Sequence, residues 1–88
     1  MIQVDIYITQ LCPFCTRALR LLKTKDINLN IFDLTSDIEM RTKLFEKTGF
    51  TTVPQIFVDG NYLGDCDHIH DLEMNGKLNL KLGIESKI

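Results

Sequence analysis

Cys12-Pro13-Phe14-Cys15 is the stretch of this chain that carries the most chemistry. Two thiols at i and i+3 fall on one side of a helical turn, near enough to join in an intramolecular disulfide. They are too close in sequence to cross-link distant parts of the chain, so their value lies in reactivity rather than in stapling. Pro13 suits the first position of a helix, where an N–H would go unused. That sets Cys12 at a helix N-terminus, where unpaired N–H groups and the positive end of the helix dipole favour a thiolate. The first turns carry Thr16, Arg17 and Arg20 and no acidic residue, so nothing nearby opposes a negative sulfur. Cys12 is thus the expected attacking thiol and Cys15, one turn further on, the resolving one. Half of a zinc site and a pair of inert buried thiols are the competing readings. Zinc needs two more ligands, which Cys66, His68 and His70 could supply only if the fold carried them to Cys12.

A strand must deliver this pair and a helix must carry it. Ile2, Val4, Ile6 and Ile8 alternate with Gln3, Asp5, Tyr7 and Thr9, the period of two of a strand. After Pro13, Phe14, Ala18, Leu21 and Leu22 recur at helical spacing, predicting one amphipathic helix that ends near Lys25. Leu29 to Leu34 reads as a second strand, and Ser36-Asp37-Ile38-Glu39 has the Ser-x-x-Glu spacing of a capping box. The helix it opens sets Ile38, Arg41, Leu44 and Phe45 on one face and ends at Gly49. Pro54 to Val58 and Asn61 to Leu63 flank Asp59-Gly60, a hairpin signal. A last helix begins near Asp67, turns Ile69 and Leu72 inward and stops at Gly76; Leu78, Leu80 and Leu82 follow without a pattern that selects helix or strand. The order is β-α-β-α-β-β-α. Strands 1 and 2 pair in parallel through a right-handed crossover, and the hairpin adds antiparallel strands, giving a four-stranded mixed sheet flanked by helices in the α/β class. Thr52-Val53-Pro54, taken on sequence alone, is a trans proline opening a strand.

Composition bounds the function. The chain has 88 residues, 44% of them hydrophobic and 25% charged, which fits one folded domain over 1–88. A formal net charge of -2 argues against a nucleic-acid binder and the hydrophobic fraction against a disordered tail. No apolar run approaches the roughly 18 residues that span a bilayer, and Met1 to Asp5 lacks the basic end and apolar middle of a secretory signal. The expected address is the cytoplasm, with no membrane and no nucleic-acid partner. Three cysteines are too few, and of the wrong parity, for the disulfide framework of a small secreted domain.

The whole pattern resembles the glutaredoxins of the thioredoxin-like fold. The resemblance rests on Cys12-Pro13-Phe14-Cys15 after the first strand, Ala18 and Leu21-Leu22, Gly49 before Thr52-Val53-Pro54-Gln55-Ile56-Phe57-Val58, then Leu63-Gly64 and Cys66-Asp67. It implies a monomeric, glutathione-dependent thiol–disulfide oxidoreductase of cell redox homeostasis that acts on protein disulfides and glutathionylated proteins without a metal. By that likeness Cys12 is the nucleophile, Cys15 resolves, and Pro54 is a cis-proline. Glutathione is then held by Arg41, Thr52, Val53, Pro54, Cys66 and Asp67. Val53 pairs with the tripeptide backbone, the Cys66 N–H and Asp67 take the γ-glutamyl end, and Arg41 takes the glycine carboxylate. Cys66 itself is read as a partly buried structural thiol, and His68 and His70 as exposed helix residues.

This chain departs from the family's pattern in three places. Thr9 stands where many members have a lysine, Gly64-Asp65 and His68 replace a Gly-Gly and a second acid, and Phe14 replaces a tyrosine. Asp65 adds negative charge beside an anionic ligand. Two rivals remain: a hydrogen donor to ribonucleotide reductase fed by thioredoxin reductase, which Asp67 and Arg41 argue against, and an iron–sulfur carrier, which Pro13 disfavours.

Overall fold

The computed structural model describes residues 2–84. The alternating residues form β1 (Gln3–Ile8), with Val4 and Ile6 fully buried. Cys12 caps α1 (Pro13–Leu22), which leads to β2 (Asn28–Asp33). Then follow α2 (Ile38–Thr48), the hairpin β3 (Gln55–Val58) and β4 (Asn61–Gly64), α3 (Cys66–Met74) and a single turn, α4 (Leu78–Lys81). β1 pairs in parallel with β2, Gln3 opposite Asn28 and Ile8 opposite Asp33. β3 runs antiparallel to both β1 and β4, giving the order β2-β1-β3-β4. Asp59 and Gly60, at φ 49° and 83°, make the two-residue turn with both positive φ values that matches the twist of a hairpin. Asp59 also ties the turn to β1, accepting the Gln3 N–H on Oδ1 and donating its own N–H to the Gln3 carbonyl.

Side chains alternate across the sheet. Val4, Ile6 and Ile56 face Ala18 and Leu22 of α1 and Ile69 of α3, while Phe57 packs on the other side with Leu34 and Leu44 of α2. Covering both faces explains why Tyr7, on the polar side of the predicted alternation, stacks on Phe32 and meets Phe57 edge to face. The fold class and sheet are those expected from sequence, and the differences lie at element ends. α1 stops at Leu22 because Thr24 and Lys25 donate back three residues, to Leu21 and Leu22, tightening the last turn. α2 is capped by Asp37, whose Oδ1 accepts the Met40 N–H at 3.0 Å, one residue after the Ser36 capping box. With the helix so placed, Ile38 is 76% exposed and Leu44 is the buried residue. Leu78 and Leu82, one helical turn apart, complete the core of the α1–α3 side, which makes α4 a helix.

One consequence of this topology positions the site. Since β1, β2 and β4 run in the same sense, α1, α2 and α3 all begin at one edge of the sheet. The segment before β3 enters at that edge as well. Among the described residues, no helix is long and apolar enough to cross a membrane.

Candidate active site

Cys12 leaves β1 by a short turn and stands in extended conformation at the start of α1, where its sulfur is itself the cap, accepting the Cys15 N–H at 3.1 Å. The sulfur also faces the Val53 carbonyl oxygen at 3.7 Å. The Val53–Pro54 peptide bond is cis, as the likeness to glutaredoxins implied and as sequence alone did not. All three cysteines are free thiols; Cys12 is half-buried, Cys15 and Cys66 are buried.

Cys15 differs sharply from its partner. Burial, reinforced by a hydrogen bond to Cys12, pushes its thiol from 9.0 up to about 12, so at neutral pH it is a proton-bearing group. Burial also pushes the Cys66 thiol up, against a lowering by Arg17 and with Asp67 and Asp65 adding to the rise. Cys66 lies beside His70, whose Nδ1 is 2.8 Å from the Cys66 carbonyl oxygen and 3.5 Å from its sulfur. His70 is half-buried through this contact, whereas the sequence reading had it exposed.

A cleft of about 220 Å³ opens next to Val53, lined by Phe14, Thr52, Val53, Pro54, Asp65, Cys66 and Asp67. Five of the six residues expected to hold glutathione therefore come together. Arg41 does not line this cleft; its guanidinium lies over the Phe45 ring, 5.7 Å from the centroid. The cleft's charged lining is two carboxylates and no cation. Asp65 caps α3, its Oδ1 accepting the His68 N–H at 2.9 Å, so the helix begins one residue before the expected Asp67. The His68 ring packs against Gly64 at this junction.

Two features of the site are not evident from the pattern of the sequence. Phe14 was grouped with the inward face of α1, yet it is 51% exposed and forms a wall of the cleft. Gln55 is 1% exposed, and its Nε2 donates to the carbonyls of Phe50 and Thr52, both at 3.1 Å. It holds the segment that presents Val53 and Pro54. The signal available was one amide in an otherwise apolar strand directly after a proline. Among the described residues no group of three or more His, Cys, Asp or Glu side chains converges as a metal site.

A family model described as Glutaredoxin matches residues 4–63. The chain is 42% identical over 79 residues to a glutaredoxin of Pseudomonas aeruginosa, covering 90% of this chain and 94% of that protein. It is 36% identical over 78 residues to glutaredoxin 3 of Escherichia coli strain K12, with coverage of 89% and 94%. Among solved structures, the glutaredoxin of Brucella melitensis superposes with a TM-score of 0.78 at 39% identity, covering 98% of this chain and 96% of that one. With the cysteine pair at a helix start, the cis-proline beside it and these relatives aligned along nearly their whole lengths, the chain belongs to the glutaredoxin family.

Proposed function

We propose that this thiol–disulfide oxidoreductase uses glutathione as its reductant and resolves glutathionyl mixed disulfides and protein disulfides through Cys12. The observation that carries the reading is the placement of the Cys12 sulfur. It accepts an N–H of α1 and faces the Val53 carbonyl at the rim of a cleft with Thr52, Pro54, Cys66 and Asp67 in its wall. A thiolate there attacks the glutathione sulfur of a protein mixed disulfide; the protein thiolate leaves and takes up a proton, and Cys12 carries the glutathionyl group. A second glutathione thiolate then attacks that group's sulfur, forming glutathione disulfide and freeing Cys12. With a protein disulfide, Cys12 attacks one sulfur, forms a mixed disulfide with the protein and releases the other as the first substrate thiol. Cys15 then gives up its proton and attacks the Cys12 sulfur, the second substrate thiol is released, and two glutathiones reduce the resulting Cys12–Cys15 bond.

The cleft supplies the grip. Val53 offers backbone groups to an extended tripeptide, the N-terminus of α3 at Cys66 meets a carboxylate, and Asp67 meets an ammonium. Arg41, the residue expected for the glycine carboxylate, stands outside the lining with its guanidinium over the Phe45 ring. The test is a glutathione-coupled reduction assay on wild type, Cys12→Ser and Cys15→Ser. Cys12→Ser is expected to be inactive, and Cys15→Ser to keep reducing glutathionyl mixed disulfides while losing protein-disulfide reduction. Full activity in Cys12→Ser would sink the mechanism.

A further inference from the structure

The chain is acidic overall, yet its charges are segregated. Arg17, Arg20, Lys23 and Lys25 are four of its 10 Lys and Arg residues, and no acidic residue lies between Pro13 and Lys25. Lys25 is neutralised, its Nζ held by both carboxylate oxygens of Glu73 at 2.8 Å. Arg17, Arg20 and Lys23 form no ion pair among the described residues. Arg17 and Arg20, one helical turn apart, line a groove between α1 and α3 together with Leu21, Thr24 and His70. Arg20 and Lys23 border a second hollow with Thr16 and Leu19. The groove starts where the cleft beside Cys12 ends: Cys66 lines the cleft, and His70, bonded to the Cys66 carbonyl, lines the groove.

We propose that this α1–α3 groove docks an acidic segment of the protein substrate while its disulfide is presented to Cys12. The inference rests on the proposed reaction at Cys12 and adds to it the class of protein it favours. Charge complementarity selects the occupant: the lining offers two unpaired guanidiniums, a threonine hydroxyl, the His70 imidazole and one leucine, and no carboxylate. The dimensions set a register. At about 1.5 Å per helical residue, Arg17 lies about 7.5 Å and Arg20 about 12 Å along the axis from Cys12. An extended polypeptide covers those distances in about two and four residues. Substrates are therefore expected to carry Asp or Glu about two and four positions from the reactive cysteine. A free glutathionyl group fills the cleft and does not reach the groove, so the selectivity belongs to protein substrates alone.

The experiment uses two glutathionylated peptides that differ only in carrying Glu or Gln two and four residues to each side of the cysteine, together with a small glutathionyl disulfide. Steady-state kinetics are measured on wild type and on Arg17→Gln/Arg20→Gln, with the acidic-to-neutral ratio of kcat/KM as the readout. Glutamine keeps the helix and removes the charge. Wild type is expected to prefer the acidic peptide by about fivefold at low salt, through KM, as two exposed charge contacts allow. The ratio should fall towards one in the double variant and at high salt. An equal ratio in wild type, or a preference that survives in the double variant, would overturn the proposal. So would salt-sensitive binding of a single-stranded oligonucleotide that the double variant loses, since the groove would then serve nucleic acid. If the small disulfide and both peptides are all inert, the proposed reaction at Cys12 is what fails. If the small disulfide alone is turned over, the docking surface fails and the reaction stands.

Discussion

Cys15 is held protonated by the fold, and this has a kinetic consequence that can be measured. Its thiol is 1% exposed and pushed from 9.0 up to about 12, first by burial and then by the hydrogen bond and charge of Cys12. A rise of about three pH units corresponds to about 4 kcal/mol against ionisation, and leaves about one molecule in 100,000 ionised at pH 7. Once Cys12 is bound in a mixed disulfide its charge is gone and the contributions from Cys12 lapse, but burial, the largest cause, stays. The Cys15-dependent release of the second substrate thiol should therefore gain speed with pH in proportion to Cys15 thiolate, well past the point where an ordinary thiol saturates. Between pH 8.5 and 9.5 a thiol that burial keeps well above its ordinary range gains up to about tenfold in thiolate, and one ionising at 9.0 gains about threefold. A single-turnover experiment, mixing reduced protein with a protein disulfide substrate and following release of its second thiol, reads the gain directly; Cys15→Ser should lack the phase. A plateau below pH 9 would refute the argument, because it would require a Cys15 that ionises as readily as an exposed thiol.

Two further perturbations separate structural from chemical roles around the cleft. Asp65→Ala removes the cap of α3 and should cost about 1 kcal/mol, lowering Tm by about 4–8 °C in a thermal melt. Asp65→Asn, an equally good cap without the charge, should leave Tm unchanged and lower KM for a glutathionyl substrate by up to about fivefold. Loss of stability in Asp65→Asn as large as in Asp65→Ala would show that the charge, not the acceptor, holds the helix. Gln55→Leu leaves the Phe50 and Thr52 carbonyls without their donor. A stability loss of about 1–3 kcal/mol by denaturant unfolding is expected, together with a raised KM as the Thr52–Pro54 segment loosens. An unchanged KM would mean that the cis-proline segment needs no support from Gln55.

Much of this site was legible in the sequence because each part is a local signal. Cys12 before Pro13 marks a helix start, and Asp59-Gly60 a two-residue turn; neither depends on distant residues. The misses have longer-range causes. Ser36 and Asp37 are adjacent cap candidates, and only the packing of Leu44 against Leu34 and Phe57 fixes which one serves. Leu78, Leu80 and Leu82 alternate as in a strand, yet Leu78 and Leu82 are buried and Leu80 is 79% exposed, which a helical turn produces just as well. Phe14 satisfies the helical period of α1, but the first turn overhangs the sheet edge and its ring covers the cleft instead of the core. Gln55 could be seen only as an odd polar residue, since its partners are carbonyls of a loop whose path the sequence does not reveal.

Three helices begin at one edge of the sheet, and each has a side chain accepting its first free N–H groups: the sulfur of Cys12, the carboxylate of Asp37 and the carboxylate of Asp65. Two of these caps are carboxylates, whereas the third is a sulfur whose charge depends on its bonding. Bound in a mixed disulfide, the Cys12 sulfur is a weak neutral acceptor; released as a thiolate, it caps α1 with a charge-assisted bond. Capping is worth about 1 kcal/mol, and a charged acceptor makes the stronger bond. In every exchange that amount falls on the side of the free thiolate. In the proposed reaction a thiolate stabilised in this way is also the better leaving group, so a sulfur that opens a disulfide there is readily displaced from the product it forms. The strand directions make this arrangement possible. Because β1 and β4 run in the same sense, the capping sulfur of α1 and the N-terminus of α3 share one edge. The segment entering β3 delivers the Val53 carbonyl and Pro54 between them. Capping sulfur and cleft thus follow from one topological choice, and in the proposed reaction residue changes in the cleft can alter ligand preference without disturbing the cap on α1.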